Sequence, residues 1–297
     1  MSKKESGVRS QESEEEFRIQ KPGRKRIQNP EVRIQNAGAR FARRIVNRFL
    51  WSRLWPGVMA YCVVAAAAFA QEPRQIIEEV QKRSRSDSQR YEGTLEVIGA
   101  GNRVATKRWI FERIGSFGES KAMLRFTAPP EVKGVALLIV NHPDRASDQW
   151  MWRPSIGRDQ RISLQDRSTR FFGTDFSFED LEERDVNQFD YKLLGDDGGQ
   201  WKIESRPRKS SQYAYSYSWV KKDNYTITKA EAYSKTGLVR VIDYRDFEQT
   251  QGIWTAHTTE VLDVHRKSRT ILKFEKLQYN VPLKEDDFTV QALRRES

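Results

Sequence analysis

The sequence predicts a mainly β fold with a few helices (an α+β fold), in which about eleven strands form an antiparallel meander. Three observations support this prediction. From residue 91 onward, apolar and polar residues mostly alternate with the two-residue period of a half-buried strand. Clusters of Gly, Asn, Asp and Pro separate the alternating segments at regular intervals, as expected for hairpin turns. After residue 90, one stretch, residues 167–184, clearly breaks the alternation.

The region before the predicted fold has the organisation of an export signal. An arginine-rich flank precedes the uncharged apolar run of residues 54–70, which ends in Ala68-Phe69-Ala70. This order of positive, apolar and small residues predicts a signal peptide over residues 40–70, cleaved after Ala70, and therefore export to the periplasm. A membrane anchor is the alternative, although a spanning helix needs about 20 apolar residues and this run is shorter.

Residues 1–39 are strongly charged and contain the tripeptide Arg-Ile-Gln three times. They contain few large apolar residues, so they cannot bury enough surface to fold. We interpret them as a disordered N-terminal extension, either an unusually long positive region of the signal peptide or residues upstream of the true start. Residues 71–297 then form one domain, which is long enough for one substantial core.

The charge distribution argues against a nucleic-acid partner. The formal net charge is +11, but residues 1–70 carry 14 Lys/Arg and 6 Asp/Glu, whereas residues 71–297 carry 38 and 35. Most of the basic excess therefore lies in the predicted leader and not on the folded domain. The single cysteine, Cys62, also lies in the leader, so the mature chain needs no disulfide and has no thiol chemistry.

The individual elements follow from changes of period. Residues 73–84 predict a helix with a proline near its start and three aliphatic residues on one face. Residues 121–127 alternate as a half-buried strand, and residues 134–140 are apolar throughout, as in a strand that is covered on both faces. Residues 213–219, YAYSYSW, place their aromatic rings on one face. The last segment, residues 283–293, is expected to contribute little.

The sequence lacks the constellations that catalysis requires. Its histidines, His142, His257 and His265, are scattered, and no Gly-x-Ser-x-Gly elbow or phosphate-binding loop is present. The adjacent acids at Glu179 and Asp180 have the pattern of solvated helix or turn residues, without the features of an acid/base pair. We therefore expect a protein that is not an enzyme and has no metal and no cofactor.

The aromatic residues leave two interpretations open. They can fill an ordinary core, or they can line the inside of a curved sheet and leave a hydrophobic cavity for a ligand. Periodicity does not decide between these, because a flat sheet with one helix on it gives the same alternation.

Several motifs resemble one family. They are MLRFTAP at residues 123–129, GVALLI at 134–139, WMWRP at 150–154, RDQR at 158–161 and, most specifically, FGTDFSFEDL at 172–181. With them the chain resembles the outer-membrane lipoprotein-sorting proteins, the LolA/LolB-like carriers, over most of residues 71–297. The resemblance implies an unclosed antiparallel β-barrel of about eleven strands with a helical lid.

The same resemblance implies a function. A soluble, monomeric periplasmic carrier would bind lipoprotein acyl chains or lipids in a hydrophobic cavity and deliver them toward the outer membrane. An inner-membrane transporter and an outer-membrane acceptor would be its partners. The alternative is a periplasmic lipid-responsive sensor or accessory protein that binds a membrane regulator or a lipid exporter.

Residues 167–184, which we call the Phe-rich segment, are the predicted lid. Gly173 would be its hinge, its phenylalanines would plug the cavity, and its acidic end would be the solvated side of a short helix. A lid that releases cargo should be weakly held, and the family implies an arginine inside the cavity that helps hold it, for which Arg125 and Arg153 are candidates. The predicted cavity and lid residues are Trp109, Phe111, Leu124, Phe126, Trp150, Trp152, Phe171, Phe172, Phe176, Phe178, Tyr215, Tyr217 and Trp219.

Overall fold

A computed structural model describes residues 72–295. The predicted extension at residues 1–39 and the predicted signal peptide at residues 40–70 lie outside the described residues. Within residues 72–295, none of the helices has the length and apolar character needed to cross a membrane.

The described chain contains one α-helix, thirteen strands and five short 3₁₀ turns. The helix α1 spans Pro73–Ser84, and proline at its start suits the first turn, where a backbone N–H has no helical partner. The strands are β1 (Ser88–Ile98), β2 (Val104–Ser116), β3 (Glu119–Ala128), β4 (Ala136–Val140), β5 (Asp148–Arg153), β6 (Arg158–Arg161), β7 (Phe189–Asp197), β8 (Gln200–Pro207), β9 (Tyr215–Lys221), β10 (Ile227–Ser234), β11 (Gly237–Thr250), β12 (Ile253–Asp263) and β13 (Ser268–Tyr279).

All thirteen strands form one antiparallel sheet in the order β6-β5-β4-β3-β2-β1-β13-β12-β11-β10-β9-β8-β7. The sheet does not close, since β6 and β7 remain its two edges. This confirms the predicted unclosed antiparallel sheet. The sheet has thirteen strands, whereas about eleven were expected.

The two halves of the sheet meet where β1 pairs with β13, with Leu95 opposite Leu272. The Phe-rich segment lies in the connection between β6 and β7, so it links the two edges of the sheet. We call the face that it covers the inner face and the opposite face the outer face.

Three apolar clusters stabilise the fold. The largest lies on the inner face and combines β1–β5, β12 and β13 with the Phe-rich segment. In the second, α1 packs Ile76 and Ile77 against Ile203 and Val220 of β8 and β9. Each such buried side chain contributes about 1.5–3 kcal/mol relative to an exposed one.

The third cluster corrects the expectation for the C-terminal segment. Phe288, Ala292 and Leu293 are buried against Met123 and Leu138 on the outer face of β3 and β4. The segment therefore covers part of the sheet. The few apolar residues of this segment have no clear period, so the sequence does not show that the segment packs on the sheet.

Candidate functional site

The Phe-rich segment is a tight hairpin flanked by 3₁₀ turns. Arg170 and Ser177 form an antiparallel bridge, and the backbone N–H of Thr174 donates to the carbonyl of Phe171 at 3.0 Å. Between them Phe172 and Gly173 both have positive φ, 46° and 76°, as in the type I′ turns that close hairpins. The predicted helix at the acidic end is a single 3₁₀ turn, Glu179–Leu181.

The hairpin is packed tightly onto the inner face. Phe171 stacks on Phe126 with ring centroids 5.4 Å apart and lies 6.3 Å from the ring of Trp109. All three side chains are at most 1% exposed, so they fill this part of the sheet. The structure thus brings together eight of the predicted cavity and lid residues, namely Trp109, Phe111, Leu124, Phe126, Phe171, Phe172, Phe176 and Phe178.

The other five predicted residues lie on the outer face, which corrects their expected position. Trp150 pairs with Leu138, and both Trp150 and Trp152 pack beneath the C-terminal segment. Arg240 of β11 lies on the inner face. It pairs with Ala232 of β10, which pairs with Ser216 of β9, so Ser216 also faces inward. The residues that alternate with Ser216 along β9 therefore point outward. These outward residues are Tyr215, Tyr217 and Trp219.

On the outer face, the β9 rings form a cross-strand ladder with basic side chains. Tyr215 stacks on Tyr233 at 4.8 Å, and the ammonium of Lys202 lies 4.6 Å from the ring of Trp219. Alternation predicted that the rings share a face, but either face was compatible with it.

The acidic end of the Phe-rich segment is buried in ion pairs, contrary to the predicted solvated helix face. Asp180 pairs with Arg240 of β11, whose guanidinium also donates to the hydroxyl of Tyr213 at 2.6 Å. Glu182 pairs with Arg167 at 2.7 Å, and the side chain of Glu182 is 1% exposed. Burial raises the pKa of Glu182, an effect that the neighbouring arginines oppose.

Two further carboxylates connect the segment to the sheet. Asp175 accepts hydrogen bonds from Ser268 at 2.5 Å and Thr270 at 2.8 Å, both on β13. Glu183 pairs with Arg113 of β2 at 3.3 Å and accepts from Ser120 of β3 at 2.9 Å. Removing one partner of a buried ion pair is strongly destabilising. The segment is therefore firmly held, which differs from the weak attachment expected of a lid.

Neither arginine candidate holds the Phe-rich segment. Arg125 lies on the outer face and donates to the carbonyls of Leu293 at 2.9 Å and Ala292 at 3.0 Å, so it holds the C-terminal segment. Arg153 donates to Gln160 on the neighbouring strand. Arg240 and Arg113 are the buried arginines of the sheet that pair with the segment and that sequence reasoning missed. For Arg240 a signal was available. In the sequence, Arg240 alternates with Ile242 and Tyr244, which places it on the same face of β11 as these apolar residues.

An open groove lies elsewhere on the inner side, between α1 and strands β10–β13. Its volume is about 850 Å³, within the range of about 300–1,000 Å³ typical of ligand pockets. None of the predicted cavity residues lines it. Its lining residues are Val80, Arg83, Ser84, Phe117, Glu183, Asn224, Tyr225, Thr226, Ile227, Tyr244, Phe247, Gln249, Gly252, Trp254, Thr255, Ala256, Thr259, Phe274 and Tyr279.

The groove combines an aromatic lining with few charges. Trp254 is 41% exposed although it is a large apolar side chain. Arg83 of α1 lies over the ring of Tyr225 at 4.3 Å and pairs with Glu79, and Glu183 is paired with Arg113. Within residues 72–295, no cluster of three or more His, Cys, Asp or Glu side chains could hold a metal. The arrangement suits an apolar ligand.

Three solved structures share this fold. A domain assigned to outer membrane lipoprotein sorting from Vibrio parahaemolyticus has a TM-score of 0.72 and 25% identity, covering 76% of this chain and 100% of that chain. A DUF1329 family protein from Desulfovibrio piger has a TM-score of 0.70 and 26% identity, covering 74% and 97%. A LolA superfamily protein from Nitrosomonas europaea has a TM-score of 0.61 and 20% identity, covering 75% and 100%.

The unclosed sheet and these matches define a LolA-like fold. A family model with the description "Uncharacterized protein" matches residues 118–295, more than half of the chain, and the chain belongs to this family. No protein of curated function matches the sequence significantly.

Proposed function

We propose that this protein is a periplasmic carrier that binds lipoprotein acyl chains or lipids in a hydrophobic cavity and delivers them toward the outer membrane. The observation that carries the proposal is the aromatic groove of about 850 Å³ beneath α1, in a fold shared with a lipoprotein-sorting domain. An inner-membrane transporter would load the carrier and an outer-membrane acceptor would unload it.

The physical chemistry supports such a cargo. Transfer of an acyl chain from water into an apolar site is favourable by about 0.8 kcal/mol per CH₂. Leaving a bilayer gives no such gain, so a transporter must lift the lipid out of the membrane. A groove that remains partly open permits release to an acceptor, because cargo need not wait for buried ion pairs to break.

We place the cargo in the groove and not beneath the Phe-rich segment. Access beneath the segment would require the pairs of Asp180 with Arg240 and of Glu182 with Arg167 to separate, and breaking buried pairs is costly. The groove is already open and its rim includes the partly exposed Trp254. In this proposal the Phe-rich segment closes the other half of the inner face, and Gly173 shapes its turn.

The test is to identify what the protein carries when it is purified from the periplasm. Organic extracts analysed by mass spectrometry are expected to contain a lipid or an acylated protein. Phe247→Asp, which puts a charge into the groove, should lose this material. Leu262→Asp, on the outer face of β12, is the matched control and should retain it. Both variants are compared by thermal unfolding to confirm that they fold.

Two results would contradict parts of the proposal. If wild-type extracts contain no lipid or acylated protein, the carrier function is wrong. If Phe172→Asp loses the cargo while Phe247→Asp retains it, the cargo lies beneath the Phe-rich segment, as the sequence predicted, and not in the groove.

Export can be tested separately. We propose cleavage after Ala70, so the periplasmic protein should begin at Gln71, and the mass of the intact protein measures this directly. A protein that keeps residues 54–70 and remains with the membrane fraction would support the anchor alternative instead.

A further inference from the structure

Two hydroxyl groups in the groove have no partner within the described part of the protein. Tyr244 of β11 and Thr259 of β12 are direct cross-strand neighbours, and both line the groove. Thr259 is 6% exposed. Neither hydroxyl makes a hydrogen bond to any residue among 72–295. Neither hydroxyl oxygen is fully enclosed by the protein, so both are accessible from the groove. A few polar groups of this kind in an apolar pocket fix the orientation of a ligand.

Other hydroxyls of the same groove are satisfied. Thr255 shares a hydrogen bond of 2.8 Å with the hydroxyl of Tyr279. Thr226 donates to the side-chain carbonyl of Asn224 at 2.7 Å. The hydroxyls that remain free to bind a ligand are therefore those of Tyr244 and Thr259, which face each other across β11 and β12.

The surroundings of this position are apolar and uncharged. Thr259 also pairs with Leu272 of β13, and Phe247 and Phe274 line the same groove. Burial is the one cause that raises the pKa of Tyr244, to about 12, so no charged group acts on it appreciably. Tyr244 is therefore a neutral hydrogen-bond donor in an apolar cavity.

We propose that the groove takes lipids whose acyl chains are joined by an ester or amide linkage, and that Tyr244 and Thr259 donate hydrogen bonds to the carbonyl oxygen of that linkage. This inference rests on the proposed carrier function and names its ligand class. A neutral carbonyl oxygen is the matching acceptor for two neutral hydroxyls. A hydrocarbon without a carbonyl leaves both hydroxyls unpaired, and a free carboxylate would be buried there without a cation.

The test compares two lipids that differ only at the linkage. The mature protein is mixed with equal amounts of dipalmitoyl phosphatidylcholine and its dihexadecyl ether analogue in detergent, and the detergent is removed by dialysis, so that no lipid has to leave a bilayer. The protein is re-isolated, and the bound lipids are quantified by mass spectrometry. We expect the wild-type protein to take up the ester lipid over the ether lipid by about threefold to tenfold, as for one net hydrogen bond.

The variants remove one hydroxyl each. Tyr244→Phe and Thr259→Val should bring the ratio toward one without reducing uptake of the ether lipid. Thr258→Val is the matched control, because it makes the same change at the adjacent residue of β12, which does not line the groove, and it should leave the ratio unchanged. The melting temperatures of Tyr244→Phe and Thr259→Val should equal or exceed that of the wild type, because no internal hydrogen bond is lost.

The outcomes separate the two proposals. Equal uptake of both lipids by the wild type would overturn the carbonyl assignment and leave the carrier function intact. Uptake of neither lipid would count against the carrier function itself and overturn the ligand class with it. A lower melting temperature for both hydroxyl variants would show that the hydroxyls have partners in the free protein, which would also overturn the assignment.

Discussion

The ion pair between Asp180 and Arg240 provides the sharpest test of how the Phe-rich segment is held. The two side chains are 9% and 4% exposed. Arg240→Leu keeps most of the apolar volume but leaves Asp180 buried, although Tyr213 still donates to it at 2.6 Å. Removing one partner of a buried pair costs about 3–5 kcal/mol. For a domain of this size we expect a decrease in melting temperature of about 6–20 °C.

The assay combines urea unfolding with amide hydrogen exchange read by mass spectrometry. The loss of stability should be accompanied by faster exchange in residues 170–184, because the variant releases this segment first. Arg245→Leu is the matched control. It lies on the same strand, pairs with Glu260 and is 52% exposed, and loss of such a surface pair should cost at most about 1 kcal/mol.

A clear result would refute this reasoning. If Arg240→Leu is no less stable than Arg245→Leu and exchange in residues 170–184 is unchanged, the buried ion pairs do not hold the Phe-rich segment. The placement of cargo in the groove would then lose its main support, since the segment could open easily.

Two further predictions concern packing and pH. In Gly93→Ala the new Cβ would lie 2.1 Å from the indole nitrogen of Trp109, which should cost about 1–3 kcal/mol in urea unfolding; Gly99→Ala, with its nearest atom at 3.9 Å, should be close to neutral, and equal costs would show that the ring can move. Hydrogen bonding, above all from Arg145, holds the pKa of Asp148 well below its usual range. The carboxylate therefore stabilises the fold above its ordinary pKa of about 4, and this contribution disappears as pH falls toward the lower, folded-state pKa. The stability difference between wild type and Asp148→Asn should shrink on acidification, and a difference independent of pH would contradict the assignment.

Strand periodicity predicts the sheet well because it is a local property. Residues 121–127 alternate within β3, and residues 215–219 alternate within β9. Tyr213, which was expected to share the face of the β9 rings, precedes the strand and contacts Arg240 on the inner face. Which side of β9 faces inward is not local. It depends on Ala232 and Arg240 of the two following strands, to which Ser216 is connected by pairing. The aromatic side was therefore expected in the cavity, whereas it forms the outer face.

The acidic end of the Phe-rich segment shows a second limit. Glu179 and Glu182 have the composition of a solvated helix, and the one arginine within ten residues that pairs with them is Arg184. Their burial depends on long-range neighbours. Glu179 accepts from the backbone N–H of Gln212 at 3.0 Å, and Gln149 donates to Glu182 at 3.2 Å. Contacts between residues so far apart in the sequence leave no periodic pattern.

The position of the Phe-rich segment in the topology explains why it is anchored so firmly. It connects β6 and β7, the two edges of a sheet that does not close. Its carboxylates contact β2 through Arg113, β11 through Arg240 and β13 through Thr270, so it ties strands from both halves of the sheet to each other. The segment cannot move away without breaking these buried contacts to both halves. We therefore infer that ligand exchange takes place at the groove beneath α1, where the inner face is already open.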